Sequence, residues 1–371
     1  MYLVLASSSG PRLPDEASAA AENQRQSQAR SLTLSSVNAK SNLGHRLTRS
    51  LHSDMHSLTR LLSAASIRKP IAVPTMLHLI FDFDGTITRA DTINTLATSA
   101  VALQRSRTGR ELGPEWDAVA REYWAELAAY KDAYVPEEQR RTCVGQEARF
   151  LKGLKGLEDA SLDRVSRAGI FAGLSEADLR QLGADAVAAG DVVVRDGFGE
   201  LLDLARQRGW KTDIVSVNWS CAFISGVLGT TRQQHQDQPI RIIANETDPL
   251  GGQISGPSFL GTRLTTSADK FRAMRHLLAG HGDDTQHVVY FGDSTTDLEC
   301  LLHARRGIVL ASSEDQSSLL QTLRRVDHPV AHVGTPPPPH QESQANNYTS
   351  WARDFNEVLA SHLFRDTDES R

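Results

Sequence analysis

Four short stretches carry side chains whose types and spacing suit chemistry: Asp82-Phe-Asp84-Gly-Thr86, Ser216, Lys270 and Gly292-Asp293-Ser294-Thr-Thr-Asp297. Moving a phosphoryl group needs a nucleophile, a proton donor for the leaving oxygen, and positive charge around the equatorial oxygens. Asp82 is the candidate nucleophile, since attack on phosphorus would form an aspartyl-phosphate and divide one hard displacement into two easier ones. Asp84 is the candidate acid and then base, a role that needs a raised carboxyl pKa, which a like-charged neighbour supplies. Gly85 lets the backbone turn closely around a bound group. Thr86, Ser216 and Ser294 offer hydroxyls to phosphate oxygens, and Lys270 offers a compact cation to both carboxylate and phosphate. So many carboxylates in one pocket would repel without a hard cation. Asp82, Asp293 and the backbone carbonyl of Asp84 would give Mg²⁺ a partial oxygen shell, with Asp297 behind it.

Plainer roles exist for several of these residues. Ser294 with Asp297, and Thr266 with Asp269, have the spacing of helix capping boxes. Asp91 is as well suited to cap the following helix as to meet a substrate. Lys270 is harder to dismiss, because the first turn of a helix disfavours a cation by ~0.3–1 kcal/mol.

The elements that must position these residues read clearly from Leu77 onward. Leu77–Phe81 is an apolar run ending at Asp82, as in a buried parallel strand. A helical region extends to about residue 190, with Trp116, Val119, Tyr123, Leu127, Tyr130 and Tyr134 at three- and four-residue steps, a stripe expected to form helix core. Further helices are predicted over 137–154, 161–167 and 175–189, the last opened by the capping box Ser175-Glu-Ala-Asp178. Helices at 198–208, 220–228, 267–278 and 295–304 then alternate with strands at 211–217, 240–244, 287–291 and 307–310. That alternation predicts an α/β fold with a parallel sheet covered on both faces. Three of the four chemical stretches fall just past strand ends, the edge where open parallel sheets bind ligands.

The chain has 371 residues, net charge −5 and 40% hydrophobic residues, enough for a sizeable core. Its acidic balance offers no global field for nucleic acid or an anionic membrane surface. No apolar run approaches the ~20 residues of a bilayer span, so no membrane partner is expected. Cys143, Cys221 and Cys300 form no CxxC pair, which suits reduced thiols and a cytoplasmic setting. Residues 1–75 hold 14 serines, nine Lys/Arg and only four Asp/Glu, with Leu47, Leu51, Met55, Leu58 and Leu62 at helical spacing. They read as a disordered tail, or as a mitochondrial presequence, with Met76 the alternative start. Residues 327–347, with Pro336–Pro339, read as a Pro-rich linker, and 348–371 as a C-terminal helix and tail built on Trp351, Phe355, Val358 and Leu359.

Taken in order, DFDGT, the strand-end serine, the lysine and GDSTTD resemble the haloacid-dehalogenase superfamily over about residues 77–312. Arg195-Asp-Gly-Phe198, Ala244-Asn-Glu246 and the 292–297 stretch are similar to its phosphoserine-phosphatase-like branch, and the whole chain resembles a fungal hydrolase group within that branch. The resemblance implies a Rossmann-like, doubly wound core (residues 76–91 and 191–326), Mg²⁺, and a helical cap inserted after the first motif. The spacing agrees: 129 residues separate Thr86 from Ser216 but only 53 separate Ser216 from Lys270, which places the cap at 92–190. Asp91 falls where serine phosphatases carry an acidic residue that contacts substrate. The departure is Ser216-Val-Asn218-Trp219, where those enzymes have two glycines after the serine. Val217 and Asn218 still offer N–H groups to phosphate and Asn218 adds an amide, while the bulk of Trp219 speaks against phosphoserine.

The expected substrate is a small phosphorylated metabolite, selected by the cap and the 217–220 loop. A cap closing over a charged pocket limits substrate size. Dehalogenases and phosphonate hydrolases of the superfamily lack the second aspartate of DFD, so Asp84 argues against both. A phosphotransferase and a non-catalytic phosphometabolite sensor stay open as alternatives. A signalling receiver is too small to hold the 129-residue insertion.

Overall fold

The computed structural model describes residues 76–233, 239–279, 285–335 and 347–364. The tail expected over 1–75 and the proline run at 336–339 lie outside the described residues. β1 (His78–Phe81) is an apolar run buried at every position, which a strand covered on both faces requires. Five helices follow: α1 (Ile93–Thr108), α2 (Gly113–Ala133), α3 (Val144–Gly153), α4 (Lys155–Ala168) and α5 (Glu176–Ala189). The chain continues through α6 (Phe198–Gln207), β2 (Lys211–Val215), α7 (Cys221–Gln233), β3 (Arg241–Ile243) and the small hairpin β4 (Glu246–Thr247) and β5 (Ile254–Ser255). It closes with α8 (Ser267–Leu278), β6 (Val288–Gly292), α9 (Leu298–His303), β7 (Arg306–Leu310), α10 (Ser318–Arg325), β8 (Val330–His332), β9 (Tyr348–Ala352) and α11 (Phe355–Ala360).

Seven strands form one sheet in the order β3-β2-β1-β6-β7-β9-β8, and every pairing in it is parallel. This is a doubly wound, Rossmann-like core. The chain winds outward from β1 in one direction through β2 and β3, and in the other from β6. The reversal lies between β1 and β6, so the crevice for a ligand opens beyond their carboxyl ends. Beneath that crevice Phe81 stacks on Phe291 with centroids 4.7 Å apart, and both pack against Phe355 of α11.

The insertion between β1 and β2 is helical, and its core is the stripe read from sequence: Trp116, Val119, Tyr123 and Leu127 are all buried. The Ser175–Asp178 capping box forms at the start of α5. The two connections to the insertion run antiparallel, with Arg89 N donating to Val193 O at 2.9 Å and Arg195 N to Ile87 O at 2.7 Å. α5 crosses α7 at contact distance. A Cβ on Gly226 would lie 1.9 Å from Arg180 O, and one on Gly183 would lie 2.3 Å from Phe223 O. Arg325 of α10 reaches the insertion as well, donating to Glu147 Oε2 and to the Arg141 carbonyl, both at 2.8 Å.

Two expectations are corrected. The stretch read as a single helix over 137–154 is a short 3-10 turn (Glu138–Arg140) and then α3, with Arg141–Cys143 outside either helix between them. There Arg141 turns inward to Glu147 and the Phe150 ring. At the other end, the linker (327–347) and C-terminal helix (348–371) contain strands β8 and β9. Residues 348–352 alternate apolar and polar weakly, but parallel pairing with β7 on one side and β8 on the other satisfies their backbone. The helix therefore starts only at Phe355, capped by Asp354, whose carboxylate accepts from Glu357 N at 3.0 Å. Among the described residues no helix is long and apolar enough to cross a membrane.

Candidate active site

The carboxyl end of β1 delivers Asp82, that of β2 delivers Ser216, and that of β6 delivers Asp293. Asp82 is buried, and its Oδ1 lies 2.7 Å from Lys270 Nζ. Lys270 is fully buried in the first turn of α8 and also sits 2.7 Å from Asp297 Oδ1. The two carboxylates account for a cation at a helix end that disfavours one. Burial disfavours the ammonium, but Asp297 and Asp82 outweigh it and hold its pKa above the ordinary lysine value.

The carboxylates shift upward as well, which for them favours the neutral form. Burial, and next to it the Asp297 charge, push Asp82 well above the ordinary carboxylate range despite Lys270. Burial and Asp297 likewise push Asp293 up to about 7. Burial raises Asp84 too, against hydrogen bonds from Thr92 and Asn218. Oxygen atoms of Asp82, Asp293 and Asp297 all lie within 4.8 Å of one another. A single buried ammonium does not neutralise this cluster, so its donor set suits a hard divalent cation.

Within the cluster, Asp297 has its lone pairs committed. Oδ1 accepts from Lys270 Nζ and from the Tyr290 hydroxyl at 2.7 Å each, and Oδ2 accepts from Asp293 N at 3.2 Å and Ser294 N at 3.1 Å. It braces Lys270 and the 293–294 turn, which leaves Asp82 and Asp293 as the carboxylates with capacity for a metal. Gly85 makes that approach possible. Its φ is +73°, and a Cβ there would fall 2.2 Å from Asp293 Oδ2.

A cleft of about 430 Å³ opens over these groups, and Asp82, Asp84, Asp91, Val217, Asp293 and Ser294 line it. Three of the expected phosphate contacts point elsewhere. Thr86 is fully buried and donates to Asp293 Oδ1 at 3.0 Å, so it orients a carboxylate. Ser216, also fully buried, accepts from Asn218 N at 3.0 Å and shapes its own loop. The Asn218 amide donates to Asp84 Oδ2 at 2.9 Å. Asp91 caps, accepting from Ile93 N at 2.8 Å, and also faces the cleft, where burial and the Asp84 charge push it up to about 8.

Trp219, only 1% exposed, packs between Trp116 and Phe171 of the insertion, which ties the loop to the insertion, and it also lines the cleft. Of the helical insertion, Ile93 alone lines the cleft among the described residues. The outer wall comes instead from Leu310–Ser312 and Gln316–Ser318 of the core.

Residues 79–302, more than half of the chain, match the family model described as haloacid dehalogenase-like hydrolase. The chain belongs to that family. Two fungal relatives extend the likeness beyond the motifs. One is the CTO1 family protein C17G9.12c of Schizosaccharomyces pombe, 29% identical over 265 residues, covering 68% of this chain and 87% of that protein. The other is Cold tolerance protein 1 of Saccharomyces cerevisiae, 24% identical over 300 residues, covering 74% and 89%. Among solved structures, a substrate-bound phosphoserine phosphatase complex superposes with a TM-score of 0.43 at 16% identity, covering 77% of this chain and 97% of its own. Cytosolic 5'-nucleotidase IIIB bound to cytidine gives 0.47 at 11% identity, covering 80% and 86%.

Sequence reading did not assign roles to four residues that hold this hydrolase site together. Thr92 donates twice to Asp84 Oδ1, from its N–H at 2.9 Å and its hydroxyl at 2.5 Å. Tyr290 supports Asp297. Asn245 is fully buried and donates to the carbonyls of Val217 and Asn218 at 3.1 Å each and to Leu264 O at 2.9 Å, fastening the 217–220 loop to the approach to α8. Arg195 holds carbonyls of the nucleophile loop. Asn245 and Arg195 lay in stretches that carried the family resemblance, and that was their signal. Thr92 and Tyr290 had none, since a threonine before a helix and a tyrosine in a strand are ordinary.

Proposed function

We propose that the chain is a Mg²⁺-dependent phosphomonoester hydrolase that acts on a small phosphorylated metabolite through a phosphorylated Asp82. The observation that carries this is the placement of Asp82 at the reversal point of the sheet. There its carboxylate meets Lys270 on one side and the cleft on the other, with Asp84 and Asp293 converging on the same space.

In the first step an Asp82 oxygen bonds to phosphorus as the bond to the leaving oxygen breaks, and Asp84 gives that oxygen its proton. In the second, Asp84 takes a proton from water as the water oxygen bonds to phosphorus and the Asp82–phosphorus bond breaks. Thr92 and Asn218 hold Asp84 in place, while Lys270 fixes the Asp82 carboxylate and offsets its charge. Mg²⁺ held by Asp82, Asp293 and the Asp84 carbonyl would neutralise charge on the phosphate oxygens. A cleft of about 430 Å³ suits a metabolite, and the acidic site and chain charge oppose nucleic acid. The spacing of Cys143, Cys221 and Cys300, with no CxxC pair, supports reduced thiols and a cytoplasmic setting.

The test is turnover of an aryl phosphate with Mg²⁺, with acid-quenching to trap phosphorylated protein. Label on the wild type and none on Asp82→Asn is expected. Turnover without any trapped label, unchanged in Asp82→Asn, overturns the reading. Phosphate appearing on an added alcohol in preference to water would make the chain a transferase.

A further inference from the structure

Arg195 stands in the cleft wall, yet its guanidinium is committed to backbone carbonyls. Nε donates to Thr86 O at 2.9 Å, one terminal nitrogen donates to Gly85 O, and the other donates to Arg353 O at 2.9 Å. The first two carbonyls belong to the turn directly after Asp84. The third belongs to the turn between β9 and α11. Among the described residues Arg195 forms no ion pair within 4 Å, so its charge and its planar fork serve these carbonyls. A guanidinium suits that task because it is weakly hydrated and rigid. Carbonyls in a turn as buried as this one need such a partner.

The same C-terminal turn grips the rest of the Arg195–Phe198 stretch. Phe355 N donates to Asp196 O at 3.0 Å, and the Phe198 and Phe355 rings lie 5.4 Å apart. A Cβ on Gly197 would fall 2.5 Å from Asn356 N, so the backbones approach closely there. A continuous path thus runs from the 353–356 turn through Arg195 to the loop between Asp82 and Thr86.

We infer that Arg195 is a positioning residue: braced by the 353–356 turn, it sets the Gly85 and Thr86 carbonyls and hence the placement of Asp82 and Asp84 against Asp293. This rests on the phosphoryl-transfer reading of Asp82. It also gives β9 and α11, which lie beyond the matched residues 79–302, a part in the site.

Full-length Arg195→Met and Arg195→Lys test it, assayed with an aryl phosphate and Mg²⁺ beside the wild type. An ångström of misplacement is worth up to about 100-fold in rate. Arg195→Met should therefore lose ~10- to 100-fold in kcat with KM within about threefold of wild type. Arg195→Lys should recover part of the loss, and added guanidinium ion should raise the rate of the Met variant. Amide hydrogen exchange, which needs no turnover, should quicken at residues 83–88 and at 353–356 in the Met variant. Unchanged kcat, or a raised KM at full kcat, overturns the inference, the second because it marks direct phosphate contact. Unchanged exchange in both segments overturns it as well. A wild type without turnover counts against the proposed function, and the exchange measurement then decides the role of Arg195 alone. Should Arg195→Met fail to fold, Arg195→Lys decides on the same two readouts.

Discussion

The side-chain amide of Asn218 donates to Asp84 Oδ2 at 2.9 Å. The position lies just after the strand-end serine, in a loop expected to serve phosphate, and its side chain serves the acid instead. With Thr92 on the other oxygen, both oxygens of Asp84 are held. Asp84→Asn keeps one of these two acceptors and should slow poor leaving groups by ~10²–10⁴-fold, while good leaving groups, which need no proton, lose far less. Rates across a series of aryl and alkyl phosphates check this. Equal losses along the series would remove Asp84 from the acid role.

Asp82→Asn should abolish turnover, by at least about 10³-fold, as loss of a covalent nucleophile does in other enzymes. Its melting temperature should stay near or above that of the wild type, because the variant removes one of several crowded buried carboxylates. Paired kinetic and calorimetric measurements check both halves. A rate near wild type contradicts the mechanism.

Activity should require Mg²⁺, vanish with EDTA and be blocked by Ca²⁺. Mg²⁺ demands octahedral geometry at ~2.0–2.1 Å, whereas Ca²⁺ takes more ligands at longer distances and would draw Asp82 out of line. Asp293→Ala should raise the Mg²⁺ concentration needed for half-maximal rate before it changes anything else. A metal titration of wild type and variant measures it, and full activity after exhaustive chelation rules the metal out.

Asp213, on β2, pairs with His78 and Arg241 and should contribute to the acid dependence of stability. Burial pushes its carboxyl up, but hydrogen bonds from His78 and Arg241 more than offset this, so its pKa falls below the ordinary value. A lowered folded pKa stabilises above the unfolded value of about 3.9, and that stabilisation is lost as pH falls through the folded value. Asp213→Asn should cost ~1–3 kcal/mol at neutral pH, a gap that narrows below about pH 4. Urea midpoints at pH 7 and near pH 3.5 would show it. A pH-independent gap would mean the loss is one of shape alone.

Gly226→Ala should destabilise the protein by ~1–3 kcal/mol, since its Cβ would lie 1.9 Å from Arg180 O and force α5 off α7. Gly199→Ala, in α6 where a Cβ meets nothing within 4 Å, is the control and should be neutral or slightly stabilising. Denaturant unfolding of the two variants separates steric crossing from helix propensity.

What the sequence determined by itself was the identity of the chemical groups and the edge of the sheet that holds them. Asp82 and Asp293 end continuous apolar runs, and a strand buried on both faces leaves that pattern in any single sequence. The insertion was legible because an amphipathic helix repeats every three to four residues, as Trp116, Val119, Tyr123 and Leu127 do. The tertiary structure alone decided which partner each polar atom found. Thr86 and Asn218 were read as phosphate contacts because a hydroxyl or amide suits many acceptors. Only the meeting of β1, β2 and β6 showed that Asp293 and Asp84 take them. β9 was hidden for a related reason: its parallel pairing with β7 and β8 depends on the fold and leaves little local pattern. Trp219 was read only for its bulk, and the fold alone brought Trp116 and Phe171, from two other segments, against it. Local pattern records which face of an element is buried, whereas a hydrogen bond across the sheet depends on distances that no local pattern contains.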